Sequence, residues 1–131
     1  MKNIDPSKQL NDSLSRHARR DYCYLTTTGR VSGKPHEIEI WFGLRSTTIY
    51  LLSGGGDQSD WVKNLRANPS VTVRIAKDRL EGQARIVSDE PEELEARQLL
   101  ASKYQGWRKG RRMSEWARTA LPVAIDIISY R

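Results

Sequence analysis

The run Leu25-Thr-Thr-Thr-Gly-Arg-Val-Ser-Gly-Lys-Pro-His36 sets three groups able to carry positive charge, Arg30, Lys34 and His36, among hydroxyls, two glycines and a proline. Backbone N–H groups can approach an anion closely where no Cβ intervenes, and Arg or Lys supplies the countercharge. A second Gly-rich turn, Ser53-Gly54-Gly55-Gly56-Asp57, ends a strand-like run and leads towards Trp61. Two such turns beside strands suit a phosphorylated or otherwise anionic ligand. Either turn alone serves equally well to reverse the chain with its cations in water. Neither is a P-loop, because no Gly-Lys-Ser/Thr follows at the required spacing. Neither is a dinucleotide fingerprint, because no G-x-G-x-x-G opens a helix.

Other chemistry is thin. Cys23, the single cysteine, sits between Tyr22 and Tyr24 in an apolar-alternating run and reads as a core residue. One cysteine excludes an internal disulfide. His17 and His36 are too far apart to form a local metal motif, so no metal site is expected. No catalytic triad or carboxylate pair stands out. The net charge is +6, and from Lys103 to Arg118 six cations face one acid, Glu115. That patch suits nucleic acid, an anionic membrane surface or an anionic cofactor, and serves solubility in any case. The chain lacks the aromatics interleaved along a strand face that a nucleic-acid-binding barrel uses, so nucleic acid is the least favoured partner.

These residues need elements to position them. The 131 residues suit one domain with a real core. Residues 8–19 read as an amphipathic helix carrying Leu10, Leu14 and His17 on one face. Strands are expected over 21–27, 36–42, 47–52, 71–75, 80–87 and 122–128, from alternation and β-branched content. Residues 43–46 read as a hairpin connection. A short helix begins near Trp61, capped by Ser59 or Asp60, and stops at Asn68-Pro69. A longer helix opens at Asp89-Glu-Pro-Glu and runs to about Tyr104. Residues 105–112 form a basic loop around Trp107, and 113–119 a last short helix. Consecutive short strands argue for a small antiparallel barrel with helices covering its ends and edges, an α+β domain that is mainly β. No apolar run crosses a membrane and no signal peptide is present, so the cytoplasm is expected, with contact at the membrane periphery compatible with the basic patch.

Taken in order, Leu25-Thr-Thr-Thr-Gly-Arg-x-Ser-Gly-Lys-Pro, Trp41-Phe42, Ser53-Gly-Gly-Gly, Trp61-Val-Lys-Asn-Leu-Arg-Ala-Asn-Pro-x-Val-Thr-Val and Trp116-x-Arg-Thr-x-Leu-Pro-Val resemble the deazaflavin-dependent nitroreductase family. That family belongs with the flavin reductases and pyridoxamine-phosphate oxidases, whose fold is a split β-barrel. The resemblance spans about residues 8–128. It implies coenzyme F420 as hydride carrier and a small-molecule hydride acceptor that is planar and electron-poor, such as a quinone, enone or nitroaromatic. By position, Arg30, Ser32, Gly33, Lys34 and His36 would face the coenzyme's phosphate and acidic tail. Ser53, Gly54, Gly55, Gly56 and Asp57 would run beside its ring. Trp41 and Trp61 would border the ring and substrate pocket, and Tyr104 and Trp107 would belong to a variable lid.

Some relatives carry Lys or Arg where this chain has Val31 and His36, and Lys where it has Gly54. Fewer fixed charges leave FMN open as the alternative coenzyme. A hydride carrier brings its own reactive atom, so the protein mainly binds, orients and shields it. Ser53 is the side chain best placed by sequence to hydrogen-bond an acceptor oxygen as charge builds there. Ser53 reads equally as a strand-end hydroxyl, and Trp61 as core packing. A non-catalytic carrier of F420 or flavin remains the reading from a different functional class. A homodimer is compatible with all of them.

Overall fold

The computed structural model describes residues 6–130. Helix α1 spans Pro6–Ser15, followed by strands β1 (Cys23–Thr28), β2 (Pro35–Ile40), β3 (Gly43–Arg45) and β4 (Thr48–Ser53). A 3-10 turn (Gly56–Gln58) leads into α2 (Asp60–Ala67), then β5 (Ser70–Ile75) and β6 (Asp78–Ile86). Helices α3 (Glu90–Gln105) and α4 (Glu115–Thr119) precede β7 (Leu121–Tyr130).

All seven strands join one antiparallel sheet in the order β2-β1-β5-β6-β7-β4-β3. Strands β2 and β3 are its two edges, yet only Trp41 and Phe42 separate them. Three trans peptide steps reach at most roughly 11 Å. Six inter-strand spacings laid flat would put the edges roughly 29 Å apart. The sheet must therefore curl until its edges meet, and the 41–42 crossover is the seam. This is a split β-barrel, the architecture that the sequence implies.

Alternation makes the barrel's interior. In β1 every second residue is buried, with Cys23 and Leu25 at 0% exposure. Phe42, Ile49, Leu51, Val73, Ile75, Leu80 and Ile125 are equally inaccessible and join them in one core. Burying a side chain of this size contributes roughly 1.5–3 kcal/mol. A second cluster lies outside the sheet, where Tyr50, Leu52 and Ala124 pack on Ala96 and Leu100 of α3. Helix α3 is well bounded. The Asp89 carboxylate accepts from Glu92 N, and Gly106 ends the helix in the left-handed region at φ 64°.

Two expectations are corrected. Residues 43–45 are a strand, because Gly43, Leu44 and Arg45 pair with Tyr50, Ile49 and Thr48. Helix α1 stops at Ser15, not near 19, and His17 leaves the helical face. His17 is 5% exposed and its Nε2 lies 2.7 Å from Asp78 Oδ2, which also accepts from Arg16 at 2.6 Å. This contact fastens the end of α1 to the start of β6. No described helix is long and apolar enough to cross a membrane.

Candidate active site

The first turn is held from both sides. Gly29 N donates to Lys34 O at 2.7 Å, Gly33 N to Gly29 O at 2.8 Å, and Lys34 N to Ser32 Oγ at 3.1 Å. A Cβ on Gly29 would lie 2.6 Å from Ser32 Oγ and 2.7 Å from His36 Nε2, so only glycine lets these two polar groups close over the backbone. These N–H groups are spent inside the turn. Side chains, more than backbone donors, therefore remain to meet a ligand.

Arg30 is also partly committed. Its NH1 donates to Asn64 Oδ1 at 2.8 Å and its NH2 lies 3.1 Å from Asp60 Oδ1. Asn64 is 4% exposed, and its Nδ2 donates to Thr27 Oγ1 at 3.2 Å. The helix α2 thus docks the turn through a buried amide. Lys34 has no ion-pair partner among the described residues and is the turn's uncompensated cation. A cleft of about 520 Å³ opens here, lined by Arg30, Ser32, His36, Trp61 and Asn64, with Asp60 and Glu37 also on its walls. Glu37 is answered in turn by Arg74 at 3.8 Å. Val31, 94% exposed, stands at the mouth.

The second turn takes another role. Ser53 is 2% exposed; its Oγ donates to Gly56 O at 3.1 Å and shares a 2.8 Å bond with Ser59 Oγ. The hydroxyl therefore ties the Gly-rich turn to the start of α2, and it lines neither large cleft. Asp57 pairs with Arg66 at 2.5 Å. Gly54 comes closest to a second cleft: a Cβ there would sit 3.6 Å from Trp116 Cδ1.

That second cleft, about 410 Å³, is aromatic. It is lined by Tyr22, Ile40, Trp41, Leu52 and Trp116, with Glu39 and Gln105 as polar members. Trp41 stacks on Tyr104 with centroids 4.3 Å apart and planes within 2°. Trp116 meets Trp41 edge-on at 5.5 Å and 85°. Tyr104 lies in the last turn of α3, not in a loop. Its hydroxyl accepts from Phe42 N at 3.0 Å and lies 2.8 Å from Asp21 O and 3.1 Å from Phe42 O. Burial pushes that phenol up to about 12. Trp107 lines a separate hollow with Arg111 and Arg112, and its Nε1 donates to Arg111 O at 2.7 Å.

The structure thus gathers Arg30, Ser32, His36 and Trp61 in one cleft, with Gly33 and Lys34 on the same turn. It puts Trp41 in another cleft and leaves Trp107 outside both. The two clefts share strand β2, through Ile38 in the first and Ile40 in the second. Asn64, Asp60 and Trp116 are the additions sequence reading missed as site residues. A polar residue on the buried face of α2 was the available signal for Asn64. Cys23 is a core thiol, pushed by burial up to about 12.

The family model of F420H(2)-dependent quinone reductases matches residues 7–127. The chain belongs to that family. Its coenzyme is accordingly F420, and it is an F420-dependent oxidoreductase. Solved structures share the fold. A protein described as a 5-nitroimidazole antibiotic resistance protein from Bacteroides thetaiotaomicron is 18% identical at TM-score 0.72, covering 98% of the reductase and 84% of that chain. One described as a pyridoxamine 5'-phosphate oxidase from Listeria innocua is 18% identical at TM-score 0.70, over 94% and 96%. The F420-H2 dependent reductase FDR-A is 22% identical at TM-score 0.64, over 81% and 94%.

The residues present fit such a coenzyme. The first cleft has the size of a small-molecule site and combines a flat Trp61 wall with hydroxyl, imidazole and cationic groups. Its charge is modest, because Asp60 offsets Arg30. The exposed cations Arg108, Lys109, Arg111 and Arg112 lie on the loop after α3, outside this cleft, with no ion-pair partner among the described residues.

Proposed function

We propose that the reductase passes a hydride from reduced F420 to a planar, electron-poor acceptor lying against Trp41 and Trp116. The acceptor class is a quinone, enone or nitroaromatic, with a quinone first because the family is named for it. The observation that carries this reading is the aromatic cleft with its perpendicular Trp41–Trp116 pair. Flat rings gain contact area and favourable quadrupole geometry on such a surface.

Reduced F420, when bound, supplies the hydride, and water supplies the proton that completes reduction. The chain's own residues bind and shield. Lys34, Arg30, Ser32 and His36 hold the anionic part of the coenzyme, and Gly33 shapes their turn. Trp61 walls the first cleft. The turn Ser53 to Asp57, next to Trp116 at Gly54, flanks the space between coenzyme and acceptor. Ser53 acts by holding that turn, so its effect on rate comes through the positions of Gly54, Gly55 and Gly56.

The segment after α3 acts as the lid. Trp107 and the four cations around it close on the acidic tail of the coenzyme and limit water access. Amides of residues 106–112 then exchange more slowly once coenzyme is bound. Equal protection with and without bound coenzyme refutes the lid.

Turnover separates a reductase from a carrier. Menadione, cyclohexenone and a nitroaromatic are each added to protein saturated with reduced F420. At least one accelerates its oxidation over the uncatalysed rate, and Trp116→Ala raises that acceptor's KM about tenfold. A panel that gives only the uncatalysed rate leaves the carrier reading standing.

A further inference from the structure

The seam of the barrel is a two-residue crossover, and α3 grips it with two consecutive side chains. Lys103 Nζ donates to Phe42 O at 2.9 Å. Tyr104 meets both the N–H and the carbonyl of the same residue. The neighbouring Gly43 has no room to shift towards the helix, since a Cβ there would lie 2.6 Å from Leu99 Cδ2. Phe42 itself is fully buried. Trp41 is therefore fixed on one side by an immobile peptide and on its face by the Tyr104 ring.

Lys103 is an unusual choice for this place. Its ammonium sits 3.7 Å from the centre of the Phe42 ring and 5.0 Å from that of Tyr104. No carboxylate pairs with it among the described residues; a carbonyl and two ring faces answer its charge. An apolar residue would pack here without removing a charge from water.

We propose that Lys103 is a positioning residue for the acceptor cleft: with Tyr104 it clamps the Phe42 peptide and so fixes the plane of Trp41 on which the acceptor lies. The clamp rests on the proposed role of Trp41. Its charge can be switched off. Burial lowers Lys103 to about 8, and the Asp21 carboxylate pulls the other way. The groups facing it are the Cys23 thiol on β1, the Tyr104 phenol on α3 and the exposed Asp21 carboxylate before β1. The first two keep their protons until about 12. Above about pH 8 the ammonium becomes an amine. The cation–π contact and the charge assistance to Phe42 O are then lost.

The test uses full-length protein, menadione as acceptor and three variants. In the wild type, the KM for menadione rises about threefold to tenfold as pH climbs through 8, while F420 affinity stays within twofold. Lys103→Arg stays charged and keeps the low KM. Lys103→Met has the raised KM at every pH. A readout free of coenzyme accompanies this: the near-ultraviolet dichroism of the stacked Trp41–Tyr104 pair changes near pH 8 in the wild type and not in Lys103→Arg. Trp41→Leu separates the two ideas. If it raises the KM and Lys103→Met, folded, does not, the clamp is refuted and the acceptor cleft stands. If Trp41→Leu leaves the KM unchanged, the cleft assignment fails and the clamp with it.

Discussion

At the scale of single residues, the two cations of the first turn divide their work. Arg30 is anchored to Asn64 and Asp60, whereas the Lys34 side chain is exposed and has no ion-pair partner among the described residues. Lys34→Ala should therefore weaken F420 binding by about 1–2 kcal/mol, the scale of a charge-assisted hydrogen bond at a partly wet site, with Tm unmoved. Arg30→Ala should weaken binding and also lower Tm, because a buried amide oxygen loses its strongest donor. Calorimetry and thermal melts of both variants check this; a Lys34→Ala protein with unchanged affinity places the anion elsewhere. The turn was legible from its glycines, proline and cations. Arg30's commitment was not, because its partners lie on a helix thirty residues further on, and sequence spacing says nothing about which helix face returns to a turn.

At the scale of elements, α3 is the organiser. Its last turn grips the seam, and its first turn is clasped to the sheet. Arg85 on β6 bonds Glu92 at 2.6 and 2.8 Å and Asp126 on β7 at 2.7 Å, while Tyr50 donates to Glu92 at 2.7 Å. The Arg85 guanidinium, opposed by partial burial and helped by Tyr50, lowers Glu92 to about 2. A carboxylate depressed on folding contributes stability above its unfolded value near 4.5, and that contribution fades as pH falls towards 2. The Tm gap between wild type and Glu92→Gln should be full at neutral pH, narrow below about 4.5 and close near 2. A gap independent of pH means that the clasp is only packing. The helix was plain in the sequence from Asp89 and its acidic first turn. Strand β3 was hidden, because three residues beginning with glycine become a strand only when β4 lies beside them. Trp116 was hidden for the same reason: what it faces is decided by the barrel, not by its neighbours in the chain.

At the scale of the whole molecule, closure of the sheet and placement of the ligand are one event. The antiparallel barrel could be expected from consecutive short strands, but the pairing that makes β2 and β3 the edges could not. Because the first cleft lies between the β1–β2 hairpin and α2, a ligand there ties the hairpin to a helix that meets it through the Arg30–Asn64 and Asn64–Thr27 hydrogen bonds. Ligand that binds only the folded state stabilises it by about 2.7 kcal/mol at a hundredfold excess over Kd. For a domain of 131 residues that corresponds to roughly 10 °C in Tm. F420 at that excess should produce such a shift, and FMN at the same concentration should produce little. The cleft's charge is modest, and four exposed cations lie on the loop after α3; the proposed lid has them meet the acidic tail of F420. Added salt screens exposed charges over about 8–10 Å. The F420 shift should therefore shrink with salt, and the Arg108, Lys109, Arg111, Arg112→Ser variant should give a smaller and less salt-sensitive shift from the outset. A large FMN shift with none from F420 would overturn the coenzyme assignment for this chain. A variant as salt-sensitive as the wild type would show that the tail lies elsewhere.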